Sequence, residues 1–314
     1  MIGSDIAKAS ALLAEGKLVA IPTETVYGLA ANALNTEAVA EIYAAKNRPS
    51  FNPLILHVGS LEQAQRYVST FPEKAQMLAD KFWPGSLSIL LPKSDLVPDL
   101  ITAGSSNVVL RVPNHPLTLE LLNTLDFPLA APSANISNTV SPTQAQHVID
   151  SLGTSVSYIL NGGDCSVGLE STIVAFEGEN IVILREGGIS QEEIQKETNF
   201  NVIANKNKSH ESPGQLKKHY ATSKPLYVVE SINDFLYSNP NIKCSALVFF
   251  EQKLKCTKHL LSKDYNLSEI ANSLFSIMRK ADQDQTDCIL VEMIKQEGIG
   301  RAIADRLNRA SSIF

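Results

Sequence analysis

The sequence predicts an α/β protein with two domains, a larger one built on a mixed twisted sheet and a smaller Rossmann-like one. Up to about residue 200, short apolar runs typical of strands alternate with segments whose apolar residues recur at helical spacing. After a polar stretch, residues 225–314 show a strand-and-helix pattern of their own. A chain of 314 residues can bury two cores, so we assign domains to residues 1–200 and 225–314.

In the first domain, apolar spacing and turn residues predict the elements in order. Gly16 ends the first helix, and Ser60-Leu61-Glu62-Gln63 has the form of a capping box that opens another. Two apolar runs separated by Glu177-Gly178-Glu179-Asn180 predict a hairpin, so antiparallel neighbours are expected beside parallel ones. Helices are predicted at 6–13, 36–47, 72–82, 116–125 and 143–150 and from residue 61, and strands at 18–21, 54–58, 87–91, 108–112, 129–131, 171–176 and 181–184.

Residues 201–224 are polar and basic, which is typical of a linker. Ser212-Pro213-Gly214 predicts a sharp turn within it, and Lys217-Lys218-His219-Tyr220 follows. A plain spacer needs no aromatic residue, so His219 and Tyr220 indicate that part of this segment docks on a neighbouring surface. We expect the segment to act as an interdomain linker and as a lid over an active site.

The second domain is predicted to have strands at 226–229, 246–250 and 289–293 and helices at 267–279 and 299–310. Gly298-x-Gly300 lacks the third glycine of a dinucleotide fingerprint and does not follow the first strand, which argues against a nicotinamide site. Gly16-Lys17 is followed by Leu18, so no P-loop is predicted either.

Composition is that of an ordinary globular protein, with 44% hydrophobic and 19% charged residues. No apolar run is long enough to span a bilayer, and the first residues lack the layout of a signal peptide. We therefore expect a cytoplasmic protein with no membrane partner. The four cysteines are far apart and form no C-x-x-C pair, which predicts free, mostly buried thiols rather than a zinc site or disulfide framework: Cys165, Cys244, Cys256 and Cys288.

The net charge of −6 is unevenly distributed. Residues 1–200 carry 11 basic and 21 acidic side chains, a balance of −10, whereas residues 201–314 carry 16 and 12, a balance of +4. An acidic first domain argues against non-specific nucleic-acid binding through its whole surface. Four of its cations lie in or beside motif-like turns and are therefore informative: Lys46, Arg48, Arg111 and Arg185.

Three short segments carry most of the functional signal. Pro22-Thr23-Glu24-Thr25-Val26-Tyr27-Gly28 and Ser133-Ala134-Asn135 each follow an apolar strand, and Lys46-Asn47-Arg48-Pro49 lies at a predicted helix end. Loops at strand ends are where a rigid sheet presents chemistry, and cations beside hydroxyl groups suit an anionic, phosphate-bearing ligand. A simpler interpretation of Lys46 and Arg48 is a helix C-terminal pair favoured by the helix dipole, but that leaves Pro49 and Asn52-Pro53 unexplained.

With these segments in view, the chain resembles the L-threonylcarbamoyladenylate synthase family in its two-domain form. The resemblance covers nearly the whole chain and implies a YrdC-like first domain. Asn138 stands where the family usually has glycine, and Ser88 where it usually has threonine. The matching motifs are Pro22-Thr23-Glu24-Thr25-x-Tyr27-Gly28-Leu29, Lys46-x-Arg48-Pro49, Pro53-Leu54-x-x-His57-Val58, Trp83-Pro84-Gly85, Arg111-Val112-Pro113, Ser133-Ala134-Asn135-x-Ser137, Ser141-Pro142-Thr143, Gly168-x-Glu170-Ser171-Thr172-Ile173, Arg185-x-Gly187, Ser212-Pro213-Gly214 and His219-Tyr220.

The resemblance implies that L-threonine, bicarbonate or CO2, and ATP react to give L-threonylcarbamoyl-AMP and pyrophosphate, with Mg²⁺ accompanying the nucleotide. It implies that the product is handed to a tRNA threonylcarbamoyl-transferase complex. That complex completes the N6-threonylcarbamoyl modification of adenosine 37 in tRNAs reading ANN codons. Whether this chain binds tRNA directly is left open, as are its oligomeric state and the role of residues 225–314.

The resemblance also assigns roles to individual residues. Arg111 suits the amino-acid carboxylate because its planar fork binds two oxygens at once. Without the family, His57 would be interpreted as a strand histidine satisfied in the core. The implied L-threonine contacts are Thr25, His57, Arg111, Ala131 and Ser171, the implied ATP contacts are Arg48, Asn52, Asn107, Ser133, Ser141, Arg185 and Tyr220, and the implied catalytic cations are Lys46 and Arg48; no protein ligand to a metal is assigned.

Two alternatives come from other classes of protein. An RNA-binding module could use the same cationic concave surface, but it usually needs a broad basic face with stacking aromatics. The balance of −10 over residues 1–200 and the 6% aromatic content favour an enzyme instead. A carbamoyl-transfer maturation factor could share the first domain's fold, but such proteins carry Cys-rich zinc modules, which this sequence lacks.

Overall fold

The computed structural model describes residues 1–205 and 219–312. The predicted turn Ser212-Pro213-Gly214 and the pair Lys217-Lys218 lie outside the described residues. As the sequence predicts, a large mixed sheet with helices is followed by a smaller domain with a parallel sheet.

The elements of the first domain, in chain order, are β1 (Ile2–Gly3), α1 (Ile6–Ala14), β2 (Val19–Ile21), β3 (Gly28–Asn32), α2 (Thr36–Lys46), β4 (Ile55–His57), α3 (Leu61–Gln65), α4 (Glu73–Phe82), β5 (Leu87–Pro92), α5 (Asp99–Thr102), β6 (Asn107–Arg111), α6 (Pro116–Thr124), β7 (Leu129–Ala130), α7 (Ala145–Leu152), β8 (Tyr158–Leu160), β9 (Thr172–Glu177), β10 (Asn180–Arg185), α8 (Gln191–Thr198) and β11 (Val202–Ala204). Those of the second domain are β12 (Leu226–Val229), α9 (Ile232–Ser238), β13 (Cys244–Val248), β14 (Thr257–Leu260), α10 (Leu267–Gln283), β15 (Cys288–Glu292) and α11 (Gly300–Ala310).

The large sheet has the strand order β1-β8-β2-β3-β7-β4-β6-β5-β9-β10-β11 among the described residues. Its neighbours are mixed: β4 and β6 run parallel, whereas β7 runs antiparallel to both β3 and β4. The parallel register pairs His57 with Arg111 where both strands end. Because β7 leads directly into residues 131–135, this strand order brings the predicted motif loops to one region of the sheet.

Most predicted elements are confirmed, and several unpredicted ones have identifiable causes. β3 was missed because its sequence, GLAAN, is made mostly of small residues with low strand preference and lacks β-branched residues. α8 was missed because it buries only Ile194 and Thr198 and is otherwise polar, although Ser190 caps its first turn. In the second domain the structure adds α9 and β14, and the parallel sheet has the order β12-β15-β13-β14 in the described chain.

Two backbone positions illustrate local requirements of the fold. Asn138 has a φ of +70°, the left-handed region that favours glycine and that asparagine tolerates best among other residues. This explains why asparagine can replace the usual glycine there. Gly168 has a φ of +78°, and a Cβ atom on it would lie 2.5 Å from the Cα of Asn272. Only glycine therefore permits this close approach of the two domains.

The domains share a hydrophobic core. Val26, Val140 and Leu169 of the first domain pack in one buried cluster with Tyr220 and with side chains of the second domain such as Phe275. Polar contacts accompany this packing: Asn272 Nδ2 donates to the carbonyl of Cys165 at 2.7 Å, and Arg279 donates to Ser151 Oγ at 3.1 Å and to the carbonyl of Val140. The second domain is therefore docked on the first.

The cysteines are free, as predicted; Cys256 is half-buried and the other three are buried. Cys244 and Cys288 lie side by side on β13 and β15 with their sulfur atoms 3.3 Å apart. Within residues 1–205 and 219–312, every helix is too short or too polar to cross a bilayer.

Candidate functional site

A pocket opens where β4 and β6 end. Nine of the thirteen predicted site residues line it: Thr25, Arg48, His57, Arg111, Ala131, Ser133, Ser171, Arg185 and Tyr220. The other four, Lys46, Asn52, Asn107 and Ser141, do not line it. The structure therefore brings most of the predicted threonine contacts and nucleotide contacts into one cavity.

The hydroxyl-rich turn after β2 is organised by Thr23. Its Oγ1 accepts hydrogen bonds from the backbone N–H groups of Thr25 (3.2 Å) and Val26 (3.1 Å) and donates to the carbonyl of Val26 at 2.6 Å. Because that hydroxyl hydrogen is used, the Thr25 hydroxyl donates to Thr23 Oγ1 across 2.8 Å. Thr25 is thus held rigidly in the pocket lining.

Arg111 is a buried cation fixed on three sides. Its Nη1 donates to Thr25 Oγ1 at 2.9 Å, its Nε to the carbonyl of Gly85 at 3.1 Å, and its Nη2 lies 2.5 Å from Glu24 Oε1. Burial alone would raise the pKa of Glu24, but the charge and hydrogen bond of Arg111 outweigh it and lower the pKa. These contacts use three of the five guanidinium N–H groups, so Arg111 retains donors for a ligand in the pocket it lines.

His57 is both buried and part of the pocket lining. Burial, followed by the charge of Arg111, lowers its pKa to about 3, so the imidazole is neutral at physiological pH. Its Nδ1 lies 3.3 Å from the carbonyl of Ile55, which can only accept. We therefore assign the hydrogen to Nδ1, which leaves Nε2 as an acceptor.

Ser171 and Arg185 form a second fixed group in the pocket. Arg185 donates from Nε (3.0 Å) and Nη2 (2.8 Å) to the carbonyl of Ser171 and from Nη2 to its Oγ at 3.0 Å. Ser88, where the family usually has threonine, places its hydroxyl 2.8 Å from Ser171 Oγ. Burial lowers the pKa of Arg185 to about 10, so it stays cationic at neutral pH.

Arg48 lies just beyond α2, where Asn47 ends the helix with a φ of +49°. Its Nε donates to the carbonyl of Asn52 at 3.2 Å and its Nη2 to that of Pro53 at 2.8 Å. Asn52 thus supports the arginine through its backbone without lining the pocket. Asn107 begins β6, at the opposite end of that strand from Arg111.

Lys46 is only 1% exposed and lies outside the pocket lining. Its Nζ donates to the carbonyls of Ser133 and Asn135, and burial lowers its pKa well below the ordinary value. In this structure Lys46 therefore fixes the 133–135 turn rather than facing the cavity. Its assignment as a catalytic cation stays a prediction.

Glu170 forms a buried charge cluster on the far wall. Its Oε1 accepts from Ser141 Oγ at 2.6 Å, which places Ser141 behind the pocket, and its Oε2 accepts from Arg306 Nε at 2.9 Å. Burial alone would raise its pKa, but the charges of Arg306 and Arg185 and the Ser141 hydrogen bond lower it to about 2. Glu170 is therefore ionised at neutral pH.

Tyr220 lines the pocket and also packs into the second domain. It is 1% exposed, its ring stacks on Phe275 with centroids 5.4 Å apart, and the ring of His219 lies 4.1 Å away. The docking expected for the His219-Tyr220 pair is therefore found within the described residues.

Comparison with known proteins agrees with this geometry. Residues 11–187 match the family model of Sua5, YciO and YrdC, whose description reads "Telomere recombination", and residues 189–312 match the model described as "Threonylcarbamoyl-AMP synthase, C-terminal domain". The chain is 40% identical to the threonylcarbamoyl-AMP synthase of Pyrococcus abyssi, over 96% of this chain and 93% of the relative. It is 38% identical to that of Bacillus subtilis, over 98% and 92%.

The chain belongs to the threonylcarbamoyl-AMP synthase family. Its fold also matches the crystal structure of P. abyssi Sua5 complexed with L-threonine, with a TM-score of 0.91 and 38% identity over 98% of this chain and 94% of that one. Membership in this family of enzymes favours catalysis over the RNA-binding alternative. The match of the second domain to the synthase C-terminal domain likewise argues against the maturation-factor alternative.

Family motifs alone did not identify Glu24, Glu170, His219 or Arg306 as parts of the site. Glu24 and Glu170 each lie beside a predicted contact, Thr25 and Ser171, and that adjacency is the signal that could have found them. Arg306 had no such signal, because it lies in a helix of the second domain and is not adjacent in sequence to any predicted contact.

We expect Glu170→Gln to destabilise this synthase-family protein by on the order of 3 kcal/mol at neutral pH, because folding lowers the carboxyl pKa from 4.5 to about 2. A lowered folded-state pKa stabilises the native state above the unfolded pKa, and this contribution is lost as pH falls toward 2. The free-energy difference between wild type and variant, measured by urea unfolding, should be constant from about pH 8 to 6 and fall to half or less by about pH 3.

The matched control is Glu177→Gln, at an exposed acid of β9, which should change stability little at any pH. A Glu170→Gln difference as large at about pH 3 as at neutrality would contradict the pairing with Arg306.

Proposed function

We propose that the chain synthesises L-threonylcarbamoyl-AMP and pyrophosphate from L-threonine, bicarbonate or CO2, and ATP. The observation that carries this proposal is a single pocket with two fixed cationic groups, Arg111 beside Thr25 and His57, and Arg185 beside Ser171. One group suits an amino-acid carboxylate and the other suits phosphate oxygens. The P. abyssi relative solved in complex with L-threonine supports the amino-acid half of the proposal.

On the amino-acid side, the free donors of Arg111 bind the threonine carboxylate. Nε2 of His57 accepts a hydrogen bond from the amine or the side-chain hydroxyl, because its Nδ1 is assigned the hydrogen. Thr25 and Ser171 add hydroxyl contacts, and Ala131 contributes through its backbone. The surrounding hydrogen bonds hold these groups before the substrate arrives, which is the arrangement that positioning catalysis requires.

On the nucleotide side, Arg48 and Arg185 bind phosphate oxygens and neutralise the pyrophosphate leaving group. Ser133 and Tyr220 face the same cavity and contact the nucleotide. Asn52, Asn107 and Ser141 are proposed as nucleotide contacts from the family resemblance alone. Lys46 reaches a phosphate only if its ammonium group leaves the carbonyls of Ser133 and Asn135; otherwise it acts by fixing that turn.

The chemistry needs no covalent protein nucleophile. The neutral threonine amine attacks CO2 and releases a proton to solvent, or attacks bicarbonate and displaces water, and either route forms a carbamate. A carbamate oxygen then attacks the α-phosphorus of ATP as the bond to pyrophosphate breaks. The chain's contribution is to hold three anions together and to stabilise the negative charge that develops on the leaving group. With a pKa of about 3, His57 is too weak a base to take a proton from an ammonium group, so its role is to accept a hydrogen bond from the substrate.

Magnesium is proposed as a companion of ATP. Glu24 and Glu170 are each paired with an arginine, and the described residues contain no group of three or more His, Cys, Asp or Glu side chains placed to hold a metal. Such a site fits a magnesium ion bound through phosphate oxygens and water, where it neutralises phosphate charge.

The proposal includes a place in tRNA modification. The adenylate is passed, in the cytoplasm, to a tRNA threonylcarbamoyl-transferase complex that modifies adenosine 37 of tRNAs reading ANN codons. The family to which the chain belongs supports this step, and direct binding of tRNA by this chain is not part of the proposal.

We expect release of pyrophosphate from ATP to require L-threonine and bicarbonate together, because the pocket's carboxylate group and phosphate group act on one assembled substrate. L-Serine should be the best competitor, since one missing methyl group costs only about 1–3 kcal/mol of discrimination. The measurement is pyrophosphate release with each amino acid in turn, with and without bicarbonate. Equal rates with L-threonine, L-valine and no amino acid would refute the threonine pocket.

A further inference from the structure

Arg306 is a fully buried cation that the second domain inserts against the first. It lies on α11 and is 0% exposed. Its Nε donates to Glu170 Oε2 at 2.9 Å, its Nη2 to the carbonyl of Glu186 at 2.8 Å, and its Nη1 to Asp305 Oδ2 at 2.7 Å. The guanidinium carbon also lies 5.1 Å from the centre of the Tyr220 ring, a cation–π distance.

Through these contacts Arg306 touches two residues of the pocket wall, although Arg306 itself does not line the pocket. Glu170 and Tyr220 line the cavity, and Arg306 does not. Glu170 in turn accepts a hydrogen bond from Ser141, and both Ser141 and Tyr220 are proposed nucleotide contacts. One side chain of the second domain therefore supports the half of the pocket to which nucleotide binding is assigned.

We propose that Arg306 is a positioning residue that fixes Tyr220 and Glu170 for ATP, so that the second domain is a structural part of the active site. The proposal rests on the proposed synthase function and deepens it by giving a role to residues 225–314. Arg306 acts through Glu170 and Tyr220 and touches no substrate itself. Its planar fork holds Glu170 and the Glu186 carbonyl at once, which a lysine ammonium group on a flexible stem does less well.

Arg279 supplies a matched control. It also lies on a helix of the second domain and also binds the first domain, through Ser151 Oγ and the carbonyl of Val140. Neither Val140 nor Ser151 lines the pocket. A purely structural role at the domain interface predicts similar consequences for Arg306→Gln and Arg279→Gln, whereas positioning predicts a defect confined to Arg306→Gln.

The test compares full-length wild type, Arg306→Gln, Arg306→Lys and Arg279→Gln by thermal unfolding, by calorimetric titration with ATP, and by initial rates of pyrophosphate release. We expect Arg306→Gln to raise the KM and Kd for ATP by at least about tenfold, with the KM for L-threonine changed less than about twofold. Arg306→Lys should restore part of the ATP affinity, because it keeps the charge. Arg279→Gln should change neither KM by more than about twofold.

A measurement without ligands separates this proposal from the proposed function. Hydrogen exchange of the peptide containing His219 and Tyr220 should rise in Arg306→Gln and not in Arg279→Gln. If wild type released no pyrophosphate, the proposed function would fail, while this exchange comparison would still decide whether Arg306 positions Tyr220. Unchanged exchange in Arg306→Gln, or equal losses of ATP affinity in the two glutamine variants, would overturn the proposal.

Discussion

Arg111→Ala is expected to lower kcat/KM for L-threonine by about 30- to 1,000-fold, which corresponds to about 2–4 kcal/mol of lost transition-state stabilisation. The physical reason is that Arg111 is the cation fixed between Thr25 and Glu24 in the pocket, with donors left for a carboxylate. Initial rates of pyrophosphate release at varied L-threonine and saturating ATP measure the effect. An unchanged KM and kcat for L-threonine would show that the carboxylate binds elsewhere.

Stability must be separated from binding in this experiment. Arg111→Ala leaves Glu24 as a buried carboxylate without its partner, and breaking a buried pair in this way costs about 3–5 kcal/mol. The double variant Glu24→Gln/Arg111→Ala removes the uncompensated charge, so its urea unfolding should lie closer to wild type. Its L-threonine defect should persist, because the carboxylate-binding group is still missing.

Arg48→Ala provides the contrasting variant. Arg48 is bound to the carbonyls of Asn52 and Pro53, on the side of the cavity that we propose for the nucleotide. This variant should mainly raise the KM for ATP and leave the dependence on L-threonine little changed. The same change in both KM values for Arg48→Ala and Arg111→Ala would contradict the division of the pocket into two halves.

Much of the site could be predicted because local sequence determines where each motif loop lies. α2 ends at Lys46, and Asn47 takes the left-handed conformation that ends a helix, so Arg48 emerges where the sequence predicts. Strands β4 and β7 end beside the pocket, as their apolar runs and the following polar turns indicate. Once the sheet orders these strands as neighbours, loops that are far apart in sequence surround one cavity.

The buried ion pairs could not be predicted in the same way. Glu24 pairs with Arg111 across 87 positions, and Glu170 with Arg306 across 136, so the pairing depends on tertiary packing and not on local spacing. The environment of Lys46 also depends on tertiary packing. A lysine in a motif rich in cations and hydroxyl groups suggests a phosphate contact, yet its nearest acceptors are two backbone carbonyls brought to it by another loop.

The second domain shows the limit of sequence patterns most clearly. Its alternating strands and helices predict a small parallel sheet, and the fold confirms that sheet. The pattern says nothing about which helix face meets the first domain. Arg306 lies on α11 among residues whose apolar spacing indicates only an amphipathic helix, and its partner is identified only when the domains are docked.

A chain ending at Phe200 is expected to fold but to lose at least about 99% of synthase activity, because the truncation removes Tyr220 from the pocket wall and Arg306, which holds the wall residue Glu170. Three hydrophobic clusters lie within the first 202 residues, and this truncation removes only Val202 from them, together with strand β11. Val26, Val140 and Leu169 lose their cover, however, and Glu170 keeps a buried charge without Arg306. Circular dichroism and urea unfolding measure the fold, and pyrophosphate release measures the activity.

A chain ending at Asn205 is the better matched form, since it keeps β11 with Val202 buried in the main core. Comparing the chain ending at Phe200 with the chain ending at Asn205 separates the effect of losing the edge strand β11 from the effect of losing the second domain. In the chain ending at Asn205, Glu170→Gln removes the carboxylate that has lost Arg306. This variant should be more stable than the same chain with Glu170, but it should stay inactive because Tyr220 is still absent. Full activity of the chain ending at Asn205 would mean that the second domain and Tyr220 are dispensable for synthesis, and the proposed role of Arg306 would fall with it.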